Sequence, residues 1–131
     1  MVISGENNLL KILIVEDNEA FRRSFKERLQ ATFPSMIVEE AVEGNEALEK
    51  VDIFHPKLIF MDIQLPGENG LTLTRKIKAK DPDISIVIVT NYDIMEYRNA
   101  AIQYGASDFI SKDSLSYEQL EKVIKTITPN R

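Results

Sequence analysis

The chain has 131 residues, of which 44% are hydrophobic and 28% charged. That composition suits one domain with its own core and excludes an intrinsically disordered chain. The 21 Asp+Glu against 16 Lys+Arg, a net charge of −5, argue against this domain gripping nucleic-acid phosphates or an anionic membrane, and the absence of cysteine excludes disulfides, thiolate metal sites and a Cys nucleophile.

The first predicted strand is "LLKILIV", Leu9 to Val15. It is nearly continuous in apolar character, as in strands buried on both faces of a parallel sheet. Glu16-Asp17 follows it directly. Phe21, Phe25 and Leu29 then recur at i, i+4, i+8, one face of a helix. "MIVEEA", Met36 to Ala41, is a more polar strand suited to a sheet edge. Ala47, Leu48 and Val51 form a shorter helical stripe, and His55, the single histidine, is expected in a surface loop. "KLIFM", Lys57 to Met61, ends on Asp62 and is followed by a Pro66-Gly67 turn. Gly70, Leu73 and Ile77 mark the next helix. "ISIVIV", Ile84 to Val89, leads to Thr90. A helix over Ile94 to Tyr104 is stopped by Gly105. "DFIS", Asp108 to Ser111, leads to Lys112, and Leu120, Val123, Ile124 and Ile127 give the clearest apolar stripe of the chain. The last residues, "TPNR", read as a frayed end or the start of a linker.

Strand and helix therefore alternate five times. That pattern predicts an α/β fold, a doubly wound five-stranded parallel sheet with five helices, as one domain over residues 1–131 with its core at about 9–127. In such sheets functional groups collect beyond the carboxyl ends of the strands. There the sequence places Glu16 and Asp17, Asp62, Thr90 and Lys112. Each has an ordinary reading alone: Asp17 as a helix cap, Thr90 as a β-branched strand end, Lys112 as a surface lysine. In combination, three carboxylates that repel and raise one another's pKa values point to a hard cation. Oxygen donors without His or Cys favour Mg²⁺ over zinc.

Four segments, "ILIVEDN", "IFMDIQLPGENG", "IVIVTN" and "GASDFISKD", occur in this order on these strands. They resemble the receiver domain of two-component response regulators over about Leu9 to Ile127. The resemblance implies a flavodoxin-like receiver fold with strand order 2-1-3-4-5. It implies that Asp62 accepts a phosphoryl group from a sensor histidine kinase. Mg²⁺ would be held by Asp17, Asp62, Glu16 through water, and the backbone carbonyl of Gln64. Lys112 would pair with Asp62 and then with a phosphoryl oxygen. Thr90 would donate its hydroxyl to another, and Phe109 would turn inward on activation. Such a domain is not an enzyme beyond its own phosphorylation and dephosphorylation. A homodimer or partner contact is expected on the face made by helix 94–104, strand 108–111 and helix 117–127, where Met95, Tyr97, Tyr104 and Tyr117 lie.

Asn91 stands where receivers carry a small residue, Gln64 and Tyr92 occupy positions that tune dephosphorylation, and Asp113 replaces a frequent proline, so that a trans Lys112–Asp113 peptide is expected. The "SKDS" ending resembles receivers that precede a helix-turn-helix domain, as in NarL-type regulators. An aspartyl-phosphate hydrolase would need an acid two residues after its nucleophile, where this chain has Gln64. A flavodoxin-like carrier would need a phosphate-cradling loop where this chain has Glu16-Asp17. With no apolar run long enough to span a bilayer and no basic, then apolar, N-terminal pattern, a cytoplasmic location is expected.

Overall fold

The computed structural model describes residues 10–127. Elements alternate as β1 (Lys11–Val15), α1 (Glu19–Thr32), β2 (Ile37–Ala41), α2 (Gly44–Phe54), β3 (Leu58–Met61), α3 (Gly70–Lys80), β4 (Ser85–Thr90), α4 (Met95–Gln103), β5 (Asp108–Ser111), a 3-10 turn (Lys112–Ser114) and α5 (Tyr117–Ile127). The expected elements are all present, with ends within about two residues of those read from the sequence. Leu9 at the start of the first run and the "TPNR" end lie outside the described residues.

The five strands are parallel and ordered β2-β1-β3-β4-β5. The polar second strand is at an edge. Alternation along each strand sorts its residues between two helical layers. Ile12, Ile14, Leu58, Phe60, Val87, Val89 and Ile110 pack with Phe25 and Leu29 of α1 and Leu120, Val123 and Ile124 of α5. Leu13, Val15, Ile59, Met61, Ile86, Ile88 and Phe109 pack with α2, α3 and Ala101 of α4. The near-continuous apolar strands are explained by this arrangement, since both faces are dry.

Helix boundaries follow local chemistry. Asn18 and Asn69 cap α1 and α3 by accepting from the Phe21 and Leu71 N–H groups. α2 ends at His55, which is exposed and adopts φ 55°, and its N–H bonds the Val51 carbonyl. Histidine thus serves as a left-handed cap. Gly105 has φ 100° just after α4, where only glycine is unstrained. No peptide among the described residues is cis, so Lys112–Asp113 is trans.

Candidate functional site

Register brings the acidic groups together. Val15 pairs with Met61 and Met61 with Ile88. The ladder continues one residue past the strands: the Glu16 N–H donates to the Ala41 carbonyl at 3.0 Å and the Asp62 N–H to the Val15 carbonyl at 3.0 Å. Glu16 and Asp62 are therefore neighbours held by main-chain bonds, and alternation turns both toward the α1/α5 layer, the side of Ile14 and Phe60. Lys112, two residues after Ile110, reaches in from the same side.

The Lys112 ammonium lies 2.8 Å from Glu16 Oε1 and 3.4 Å from Asp62 Oδ2, with side-chain exposures of 10%, 3% and 7% for the three residues. The sequence expectation had Lys112 pairing with Asp62; in the structure Glu16 is its nearer partner. Asp62 Oδ1 accepts the Ile63 N–H at 2.7 Å, which sets the carboxylate's orientation. Glu16 Oε2 accepts the Asn18 N–H at 3.0 Å. Arg22 donates to the Glu16 carbonyl at 2.9 Å while its Nε pairs with Glu40 on β2, tying the end of β1 to the edge strand. Burial raises the Glu16 pKa; Asp62 raises it further, while Lys112 and the Asn18 N–H pull it down without prevailing.

Asp17 is exposed, yet Glu16, Asp17 and Asp62 each offer an oxygen, and these lie within 4.8 Å of one another. Three carboxylates against one ammonium leave a net charge of −2 when all are ionised. Hard oxygen donors, a local deficit of positive charge and one solvent-facing ligand fit a divalent cation that keeps part of its water shell. Gln64 lies exposed in the loop after β3.

The same loop explains the spacing of Asp62, Pro66 and Gly70. Pro66 and Gly67 (φ 81°) turn the chain, and Gly70 starts α3 against the strand it just left. A Cβ on Gly70 would sit 1.9 Å from the Asp62 carbonyl oxygen. The Gly70 N–H donates to the Ile63 carbonyl at 2.9 Å, and Thr74 donates to the Gly70 carbonyl at 2.8 Å.

Thr90 is fully buried and ends β4. It follows the alternation of Ile88, hence faces the opposite layer, the side of Phe109. Its Oγ1 accepts the Tyr92 N–H at 3.2 Å. Phe109 is buried at 7% exposure. Arg98 lies 4.8 Å over its ring and makes a two-pronged pair with Asp93, its Nε 2.5 Å from Oδ1 and Nη2 3.1 Å from Oδ2. On the nearby face Met95 and Tyr117 are exposed and Tyr97 and Tyr104 half-buried; Ile102, also exposed, was not singled out by the sequence. Phe21 was likewise read only as a core position, yet its ring lies 4.4 Å from the Lys112 ammonium. Helical spacing alone does not show which end of a stripe reaches the rim.

Residues 12–125 match the family model of the response regulator receiver domain. The chain is 35% identical over 119 residues to the oxygen regulatory protein NreC of Staphylococcus carnosus, covering 90% of this chain and 54% of that protein. It is 29% identical over 121 residues to the transcriptional regulatory protein DegU of Brevibacillus brevis, covering 92% and 50%. It thus spans about half the length of these curated relatives. A solved response regulator receiver domain protein (CheY-like) from Methanospirillum hungatei JF-1 superposes with a TM-score of 0.85 at 30% identity, covering 93% of this chain and 96% of that one. Sheet order, rim chemistry and these likenesses agree: the chain belongs to the response regulator receiver domain family.

Proposed function

We propose that Asp62 is the phosphoacceptor of this receiver and that a sensor histidine kinase is its donor. The observation that carries the reading is the convergence of Glu16, Asp17 and Asp62 within 4.8 Å around a nearly buried Lys112 ammonium. An Asp62 oxygen attacks the phosphorus of a phosphohistidine; the P–N bond breaks, its electron pair leaves with the imidazole, and Asp62 becomes an acyl phosphate. Asp17, Asp62 and the Gln64 carbonyl, with Glu16 through water, would hold Mg²⁺, which would supply the charge neutralisation that lets a carboxylate approach a polyanionic phosphoryl group. Lys112 moves from its two carboxylate partners toward the new phosphoryl oxygen. The Thr90 hydroxyl donates to another phosphoryl oxygen while its Oγ1 keeps the Tyr92 N–H. Water attack on phosphorus returns Asp62 and inorganic phosphate.

The output follows from Thr90. Its hydroxyl is bonded to the segment that carries Asp93, which holds Arg98 over Phe109. Drawing Thr90 toward the phosphoryl group shifts that segment and with it the α4–β5–α5 face. A second copy of the chain or a partner protein binds there, and the output in the whole protein is transcriptional, by a DNA-binding region outside this domain. The domain works in the cytoplasm as a single unit; among the described residues no helix is long and apolar enough to cross a membrane.

Acetyl phosphate with Mg²⁺ tests the acceptor. The parent gains one phosphoryl group by intact mass and Asp62→Asn gains none. An adduct that persists in Asp62→Asn overturns the assignment.

A further inference from the structure

Lysine is a flexible point charge with three donors on a four-carbon stem. Lys112 spends two contacts on Glu16 and Asp62, and it leans toward Glu16, away from the proposed acceptor. Its third contact is the Phe21 ring, whose centroid is 4.4 Å from Nζ, well inside the range at which an ammonium is attracted to an aromatic face. The side chain of Lys112 is only 10% exposed, so water competes little for that face.

The ring is itself anchored. Phe21 lies 5.7 Å from Phe25, and Phe25, which is 2% exposed, meets Phe60 edge-on at 4.9 Å. Phe60 is on β3, two residues before Asp62. The backbone at Phe21 is fixed by the Asn18 cap, whose side chain accepts the Phe21 N–H at 2.9 Å. A stack of three rings thus runs from the core beneath the acceptor to the ammonium, and the seat and Asp62 are positioned by the same strand.

We propose that Phe21 is a positioning residue for phosphoryl transfer: its ring face seats the Lys112 ammonium inside the acceptor site, within reach of both carboxylates, and keeps it from swinging out into solvent. A ring has no lone pair that binds a hard cation, so it holds Lys112 without competing for the ligand that the three carboxylates attract. This rests on the reading of Asp62 as acceptor with Lys112 as its cationic partner.

The test replaces Phe21 with mono-, di- and trifluorophenylalanine, which weaken the ring's negative face at nearly constant volume, and with Leu and Tyr. Two quantities are read: the Lys112 Hε resonance in the metal-free protein, and the initial rate of phosphoryl incorporation from acetyl phosphate with Mg²⁺. The ring should shift Hε upfield in the parent and Leu should abolish the shift. The rate should fall stepwise with fluorination, by about 2- to 30-fold for Phe21→Leu, and stay within about twofold for Phe21→Tyr. Packing alone predicts no trend with fluorination. Melting temperatures of the fluorinated proteins near the parent's show that folding is intact. A flat fluorination series, or an unshifted Hε in the parent, overturns the proposal while Asp62→Asn still takes up no label. Label on Asp62→Asn overturns the acceptor reading and this proposal with it.

Discussion

Replacing Gly70 by alanine adds one methyl group at the tightest point of the site. The new Cβ would lie 1.9 Å from the Asp62 carbonyl oxygen, 2.9 Å from its carbonyl carbon and 3.0 Å from Ile63 Cα. Van der Waals contact needs about 3.5 Å, so roughly 1.5 Å of separation is missing, and all three obstacles are backbone that no rotamer change can clear. Two effects oppose each other. Alanine at a helical position gains up to about 1 kcal/mol over glycine from propensity and from a less disordered unfolded chain. Overpacking against a rigid neighbour costs about 1–3 kcal/mol, and backbone contact puts this site at or above the upper end. The clash wins, with a net loss of about 2 kcal/mol or more. For a chain of this size that lowers the melting temperature by roughly 6–10 °C or more. The larger effect is on chemistry, because relief of the clash displaces Asp62 itself. A misplacement of about 1 Å near reacting atoms costs on the order of a hundredfold. Gly67→Ala is the control. Its φ of +81° strains any side chain, but no atom lies within 4 Å, so it should cost about 1 kcal/mol and leave the phosphorylation rate unchanged. Calorimetry and timed phosphorylation with acetyl phosphate give both quantities. A Gly70→Ala protein that melts at or above the parent temperature and phosphorylates at the parent rate would refute the idea that this close approach sets the position of Asp62.

Glu16 gives a pH signature. Burial holds its pKa above the ordinary 4.5, so the folded state binds more protons in the window above 4.5; stability from this group is present below 4.5 and lost as pH rises through the raised value. As pH rises above 4.5 the melting temperature of the parent should therefore decline relative to Glu16→Gln, and Mg²⁺ should restore it; parallel profiles would contradict this. Lys112→Ala leaves two buried carboxylates facing each other and should destabilise the metal-free protein by about 3–5 kcal/mol at neutral pH, with part recovered in millimolar Mg²⁺; a loss below about 1 kcal/mol would show that the ion pair matters little. Thr90→Ala removes the acceptor for the Tyr92 N–H and should leave phosphorylation of Asp62 largely intact while blunting any change in self-association on adding beryllofluoride. A full response measured by sedimentation would mean that the coupling bypasses this threonine.

The order of elements, the two-sided burial of the strands and the identity of the rim residues were legible in the sequence, because each depends on local information. Runs such as "KLIFM" are apolar at every position only when both faces are covered, and Asp62 or Thr90 directly after such a run must lie at a strand end. The left-handed turn at Gly105 is equally local, whereas the cap of α1, read on Asp17, falls on Asn18. What required tertiary structure was distance. Whether Lys112 meets Asp62 or Glu16 depends on how a long side chain from the turn after β5 crosses β4 and β3, and the 2.8 Å contact with Glu16 has no counterpart in sequence spacing. That Phe21, while packed on its stripe, also meets an ammonium depends on which elements the fold brings to the rim. Gly70 read simply as one position of a helical stripe; only the return of the chain onto β3 makes its missing Cβ a condition for the place of Asp62. Composition and periodicity specify which faces are buried, since burial is a property of each residue in its own element. Contacts between groups fifty residues apart are decided by sheet register and crossover geometry, which belong to the whole fold.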